Sequence, residues 1–119
     1  MLKKSFRLKN KSAFSATYKI KHSYFKNGII LWVGRKKADL DIPTKVGFVV
    51  SKKTHKRAVK RNRLKRLMRE SYRLLQKEEN LFSSQEYLSL IFVGLDKALK
   101  NDFKETQKTI LQLLEQIHD

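Results

Sequence analysis

Residues 51–73 read Ser-Lys-Lys-Thr-His-Lys-Arg-Ala-Val-Lys-Arg-Asn-Arg-Leu-Lys-Arg-Leu-Met-Arg-Glu-Ser-Tyr-Arg. From Lys52 through Arg69 the stretch carries Lys52, Lys53, Lys56, Arg57, Lys60, Arg61, Arg63, Lys65, Arg66 and Arg69, and no acidic residue. No Gly or Pro falls between Arg57 and Gln76, and Ala, Leu, Lys and Arg are good helix formers, so the stretch predicts a helix over about 57–76. At helical spacing Leu64, Leu67, Met68, Leu74 and Leu75 fall on one stripe. The opposite face holds Asn62, Arg66, Arg69 and Arg73, with Arg61 and Lys65 to one side and Arg63 to the other. One side of the helix needs a core, and the other is cationic.

Like charges four apart repel by about 0.2–0.5 kcal/mol per pair in an isolated helix. An ordinary solvated face relieves this by alternating Glu with Lys. The face over 57–69 has no Glu, so a polyanionic partner is its simplest explanation, and a basic patch of this kind points to nucleic acid.

Composition agrees. The chain has 119 residues and a formal net charge of +17. Its length suits one domain, here a single RNA-binding domain over 1–119 with a basic, flexible segment at 1–9. Neutralising phosphates releases counterions, which favours nucleic acid as partner. The competitor is an anionic membrane surface, but the cations are spread too evenly for one membrane-binding amphipathic helix. Cysteine is absent, which excludes disulfides and cysteine-based metal or nucleophile sites. No apolar run reaches signal-peptide or membrane-span length, so a cytoplasmic protein without membrane association is expected.

The flanking segments predict the remaining elements. Asn10 or Ser12 caps a short helix through about Lys19. On it Phe14 and Tyr18 share one face, and Ala13, Ala16 and Ile20 share another. Both faces are core, or one is offered to a ligand; spacing alone leaves this open. Residues 21–27 read as a connection leading toward a strand, with Asn27-Gly28 a turn-type pair. Residues 29–35 and 45–51 are β-branched and aromatic and read as strands forming an antiparallel hairpin around the polar loop 36–44. After the basic helix, residues 80–86 are a polar connection. The apolar run 87–94 is expected as a central strand buried on both faces. A last helix starts near Asp102 with Glu105 three residues on, and buries Phe103, Thr106, Ile110, Leu113, Leu114 and Ile117. The fold class is α+β, a single-domain α/β sandwich of order α-β-β-(β)-α-β-α.

A self-sufficient catalyst is not visible. His22, His55 and His118 are scattered, with no metal-ligand spacing. Asp39 and Asp41 share a loop, but two carboxylates do not make a site. The four glycines are isolated, so no loop cradles phosphate. No catalytic residue is assigned.

Lys-Arg-Asn-Arg-Leu-Lys-Arg-Leu-Met-Arg-Glu at 60–70, preceded by Val-Gly-Phe-Val-Val-Ser-Lys-Lys at 46–53, resembles the signature of the bacterial ribonuclease P protein subunit. The opening Leu-Lys-x-x-x-x-Phe-x-x-x-Tyr, from Leu8 to Tyr18, fits the same family, and the element order extends the resemblance over nearly the whole chain. The resemblance implies a non-catalytic protein cofactor of an endoribonuclease that removes the 5′ leader from precursor tRNA. It implies that a large RNA subunit performs the chemistry with bound Mg²⁺, one protein per RNA, and that the protein helps bind the substrate and the metal ions. It also implies a left-handed βαβ crossover, where general handedness rules give the right-handed form.

Carried over residue by residue, Arg61, Asn62 and Arg63 match the family's Arg-Asn-Arg, with Lys60, Lys65, Arg66 and Arg69 on the same helix. Lys52 and Lys53 match the strand end. These are the expected contacts to the catalytic RNA, and guanidinium forks suit phosphate. Phe14, Tyr18 and Trp32 fall where the family places the aromatics of a leader-binding cleft between the first helix and the sheet. Protein-borne metal ligands are left unassigned. The alternative is a structural RNA-binding protein of ribosomal type, which needs no single-strand cleft.

Overall fold

The computed structural model describes residues 2–118. Its elements are α1 (Lys11–Lys19), β1 (His22–Lys26), β2 (Ile29–Val33), β3 (Lys45–Val49), α2 (Ala58–Lys77), β4 (Ser89–Gly94) and α3 (Phe103–Gln116). Short 3-10 turns lie at Lys4–Phe6, Phe82–Glu86 and Asp96–Lys100. The expected order holds, with the bracketed strand present.

Asn10 starts α1: its side chain accepts from the Ala13 amide at 2.9 Å. Asp102 starts α3 in the same way, accepting from the Glu105 amide at 2.8 Å. Residues 22–26 are a full strand, not a connection. The pair Asn27-Gly28 closes a two-residue hairpin between β1 and β2, in register Lys26↔Ile29. Both turn residues have positive φ, 47° and 82°, the geometry whose twist matches antiparallel strands. Asn tolerates that region and Gly28 has no Cβ to oppose it.

The sheet order is β1-β2-β4-β3, with β4 antiparallel to β2 and parallel to β3. This corrects the expected hairpin between residues 29–35 and 45–51. Those strands run in opposite directions but do not pair, because β4 lies between them. The reason is the apolar run itself. Its side chains need cover on both faces, which a central position provides. After β2 the chain runs beside the approach to β4, with the Leu88 amide bonded to the Arg35 carbonyl and the Lys37 amide to the Glu86 carbonyl, both at 2.7 Å. Helix α2 is thus the crossover between the parallel neighbours β3 and β4.

Side-chain alternation gives the sheet two faces. Toward α2 and α3 point Leu31, Phe48 and Phe92. The Phe48 and Phe92 rings stack at 5.8 Å, and both meet Tyr72 of α2. The buried stripe of α2 is Leu64, Met68, Ser71, Tyr72 and Leu75. Leu67 and Leu74, expected on it, are half-buried at its margins, and the tyrosine takes the centre. Toward α1 points Gly47, where a Cβ would lie 2.6 Å from the Phe14 ring. Any larger residue there would displace the Phe14 ring. The basic segment expected to be flexible lies along β3: Leu2 is 2 % exposed, and the Leu8 amide bonds to the Val46 carbonyl at 2.9 Å. Its apolar residues Leu2 and Leu8 hold it there.

Candidate nucleic-acid interface

Two surfaces carry the expected residues. The first is the start of α2 with the loop before it. β3 ends at Val49, and the chain turns with the Thr54 amide bonded to the Ser51 carbonyl at 3.0 Å. Nothing but backbone caps α2 at Arg57. Arg61 reaches back from the first turn instead, and its Nη1 donates to the carbonyls of His55 at 2.7 Å and Lys56 at 2.8 Å. It ties the loop to the helix and leaves its positive charge at the helix start, the end where the helix dipole is also positive. Arg63 leans the other way and donates to the Leu99 carbonyl at 3.3 Å. Asn62, between them, is exposed, as are Lys52, Lys53, Lys60 and Arg66; Lys65 and Arg69 are half-buried.

Among the described residues, no acidic side chain pairs with Lys52, Lys53, Lys60, Arg61, Arg63, Lys65, Arg66 or Arg69. Arg73, one turn beyond Arg69, differs. Its Nε donates to both carboxylate oxygens of Glu70 at 3.1 Å. The bond lowers the Glu70 pKa and raises that of Arg73. The unneutralised face therefore stops at Arg69, and Arg73 belongs to the helix itself.

The second surface is the α1 side of the sheet. Thr17, buried, donates to the Ala13 carbonyl at 2.8 Å and shares a 2.6 Å bond with the Ser89 hydroxyl of β4, which clamps α1 across the strands. The clamp places Phe14 over Gly47 of β3 and Tyr18 edge-on against Trp32 of β2, with ring centroids 5.3 Å apart. Burial raises the Tyr18 pKa. Phe14, Tyr18 and Trp32 are all half-buried. The register sets out the floor beneath them in two cross-strand rows, Ser23-Trp32-Ile91-Gly47 and Phe25-Ile30-Val93-Val49. Ile91 is fully buried, while Ile30, Val49 and Val93 are half-buried and Phe25 is 61 % exposed.

The structure thus brings Phe14, Tyr18 and Trp32 together on the α1 side of the sheet, and the cationic residues to the sheet end where β3 and β4 finish. Sequence reading missed Phe25 and Ile30. Once 22–26 is read as a strand closed by Asn27-Gly28, alternation alone puts Phe25 on the Trp32 face. Chemically, the two surfaces offer phosphate binding beside aromatic and apolar packing for unstacked bases. Among the described residues no group of three or more His, Asp or Glu converges as a metal site, and no helix is long and apolar enough to cross a membrane.

The sequence model of the family Ribonuclease P matches residues 2–118. The chain belongs to the ribonuclease P family. Among its relatives, the ribonuclease P protein component of Clostridium novyi is 33 % identical over 95 % of this chain and 94 % of that protein. The ribonuclease P protein component of Symbiobacterium thermophilum is also 33 % identical, over 96 % and 92 %. The fold is that of the RNase P protein from Thermotoga maritima, with a TM-score of 0.75 at 23 % identity over 95 % of this chain and 98 % of that one. The Staphylococcus aureus RNase P protein aligns with a TM-score of 0.73 at 23 % identity, over 94 % of each chain. Membership in the ribonuclease P family accounts for the Arg-Asn-Arg run, the charge and the element order together.

Proposed function

We propose that this chain is the protein cofactor of a ribonuclease P holoenzyme, one copy per RNA, acting in the cytoplasm on precursor tRNA. The start of α2 and its loop bind the catalytic RNA through Lys52, Lys53, Lys60, Arg61, Asn62, Arg63, Lys65, Arg66 and Arg69. The cleft of Phe14, Tyr18 and Trp32 receives the unpaired 5′ leader. Mg²⁺ and the hydrolytic chemistry belong mainly to the RNA subunit, as the family resemblance implies. The observation that carries this reading is the pairing, within a ribonuclease P family fold, of a cationic helix start lacking acidic partners with an open, aromatic-lined sheet face. The first surface supplies affinity with counterion release, and the second gives unstacked bases something to pack against.

Reconstitution tests it. The purified protein is added to a bacterial catalytic RNA subunit at low Mg²⁺ and near-physiological salt, and cleavage of a precursor tRNA is followed. RNA-dependent stimulation is expected. Tight RNA binding without stimulation across several RNA subunits would favour a structural RNA-binding protein. Cleavage by the protein alone, surviving stringent nuclease controls, would overturn the cofactor role.

A further inference from the structure

The outer row of the cleft floor is apolar from edge to edge: Phe25, Ile30, Val93 and Val49. With strands about 4.8 Å apart, it spans about 14 Å. One end, at Val49, runs into the cationic loop at Ser51–Lys53. The other end is Phe25, on β1 at the edge of the sheet. An exposed aromatic on an edge strand invites unwanted pairing, and such edges are usually blunted with charge or proline. Here the ring is the most exposed aromatic of the cleft face, set in register beside Ile30 and two residues diagonal to Trp32.

We propose that Phe25 is a stacking platform for an unpaired leader base, forming the far end of a track that crosses the sheet from the cationic loop past Trp32. This rests on the reading of the cleft as the leader site. Two features favour single-stranded RNA over a protein partner: the position of the row beside Trp32 and a chain of net charge +17. A consequence is that Phe25 contributes only to the binding of leaders long enough to reach the β1 edge of the sheet.

The test uses holoenzyme reconstituted with catalytic RNA and precursor tRNAs whose leaders are shortened one nucleotide at a time. Phe25→Ala is expected to weaken binding about fivefold or more for long leaders. It should leave short-leader and mature-tRNA binding unchanged, and Phe25→Tyr should restore the long-leader value. Because the side chain is exposed, the variant is expected to fold with an unchanged Tm. Trp32→Ala should begin to matter at a shorter leader than Phe25→Ala. The platform is overturned if Phe25→Ala binds every leader like the wild type, loses equally on all lengths, or weakens assembly with the catalytic RNA instead. If Trp32→Ala keeps its leader dependence in those cases, only the platform fails. If Trp32→Ala also lacks leader dependence, the leader cleft itself is wrong.

Discussion

The two faces of the sheet are made by alternate residues of the same strands, yet they differ in what covers them. Leu31, Phe92 and Phe48 lie under α2 and α3 and close into a ring-packed core. One residue along, Trp32, Val93 and Val49 lie beside a single short helix and stay partly open. A fold that needed only stability would close both faces. The proposed function assigns folding to one face and recognition to the other, and substitution across the two faces tests it.

The largest effect is expected in the closed face. Phe92→Ala removes a ring stacked on Phe48 and tilted against Tyr72 and should cost about 3–5 kcal/mol of stability, read by denaturant unfolding. Trp32→Ala, half-buried on the open face, should cost about half of that or less. Comparable losses would mean that the open face is core after all.

Next is pH. Burial pushes the Tyr72 phenol up to about 12, with a partly opposing hydrogen bond from Gln85. The neutral phenol is favoured in the folded state, so its contribution is full below the unfolded value near 10 and is lost as pH rises through the folded value. About 3 kcal/mol at most should disappear between about pH 10 and 12. Tyr72→Phe should flatten that limb, measured as Tm against pH. An unchanged limb would place the alkaline sensitivity elsewhere.

A smaller effect sits at the joint between α1 and the sheet. Thr17→Val leaves the buried Ser89 hydroxyl without its partner and should cost about 1–3 kcal/mol, while Thr17→Val with Ser89→Ala should recover part of it. Additive losses would show that the hydroxyl pair does not couple the two elements. The smallest difference separates the two ends of α2. Arg66→Ala should flatten the salt dependence of RNA binding by about one phosphate contact, a slope change of about 0.7–0.9, and Arg73→Ala by less because Glu70 already neutralises it. Equal changes would erase the boundary at Arg69.

Much of this was legible in the sequence because local rules and tertiary packing agree. Asn10 and Asp102 cap the helices that their positions suggest, the run 87–94 lies in the central strand region of the sheet, and the acid-free stretch from Lys52 to Arg69 has no acidic partner among the described residues. The errors arose where partners are distant. Nothing near 29–35 or 45–51 says that a strand forty residues later will separate them; only the two-sided burial of that strand does. His22–Lys26 reads as a connection because its alternation mixes Ser23 and Lys26 with aromatics, and the Asn27-Gly28 turn is what reveals it. Phe25 followed that strand out of view. Phe14 and Tyr18 were placed by resemblance, and their half-buried geometry comes from Thr17 and Gly47, which carry no signal of their own in the sequence.

The central claim is that the open face recognises the leader. The most direct measurement is the ratio of precursor-tRNA to mature-tRNA affinity for holoenzymes carrying wild-type protein or Trp32→Ala, each checked for an intact Tm. The prediction is a wild-type preference for precursor that Trp32→Ala lowers by about fivefold or more, with mature-tRNA affinity unchanged. Equal losses on both substrates, or an unaltered preference, would contradict it.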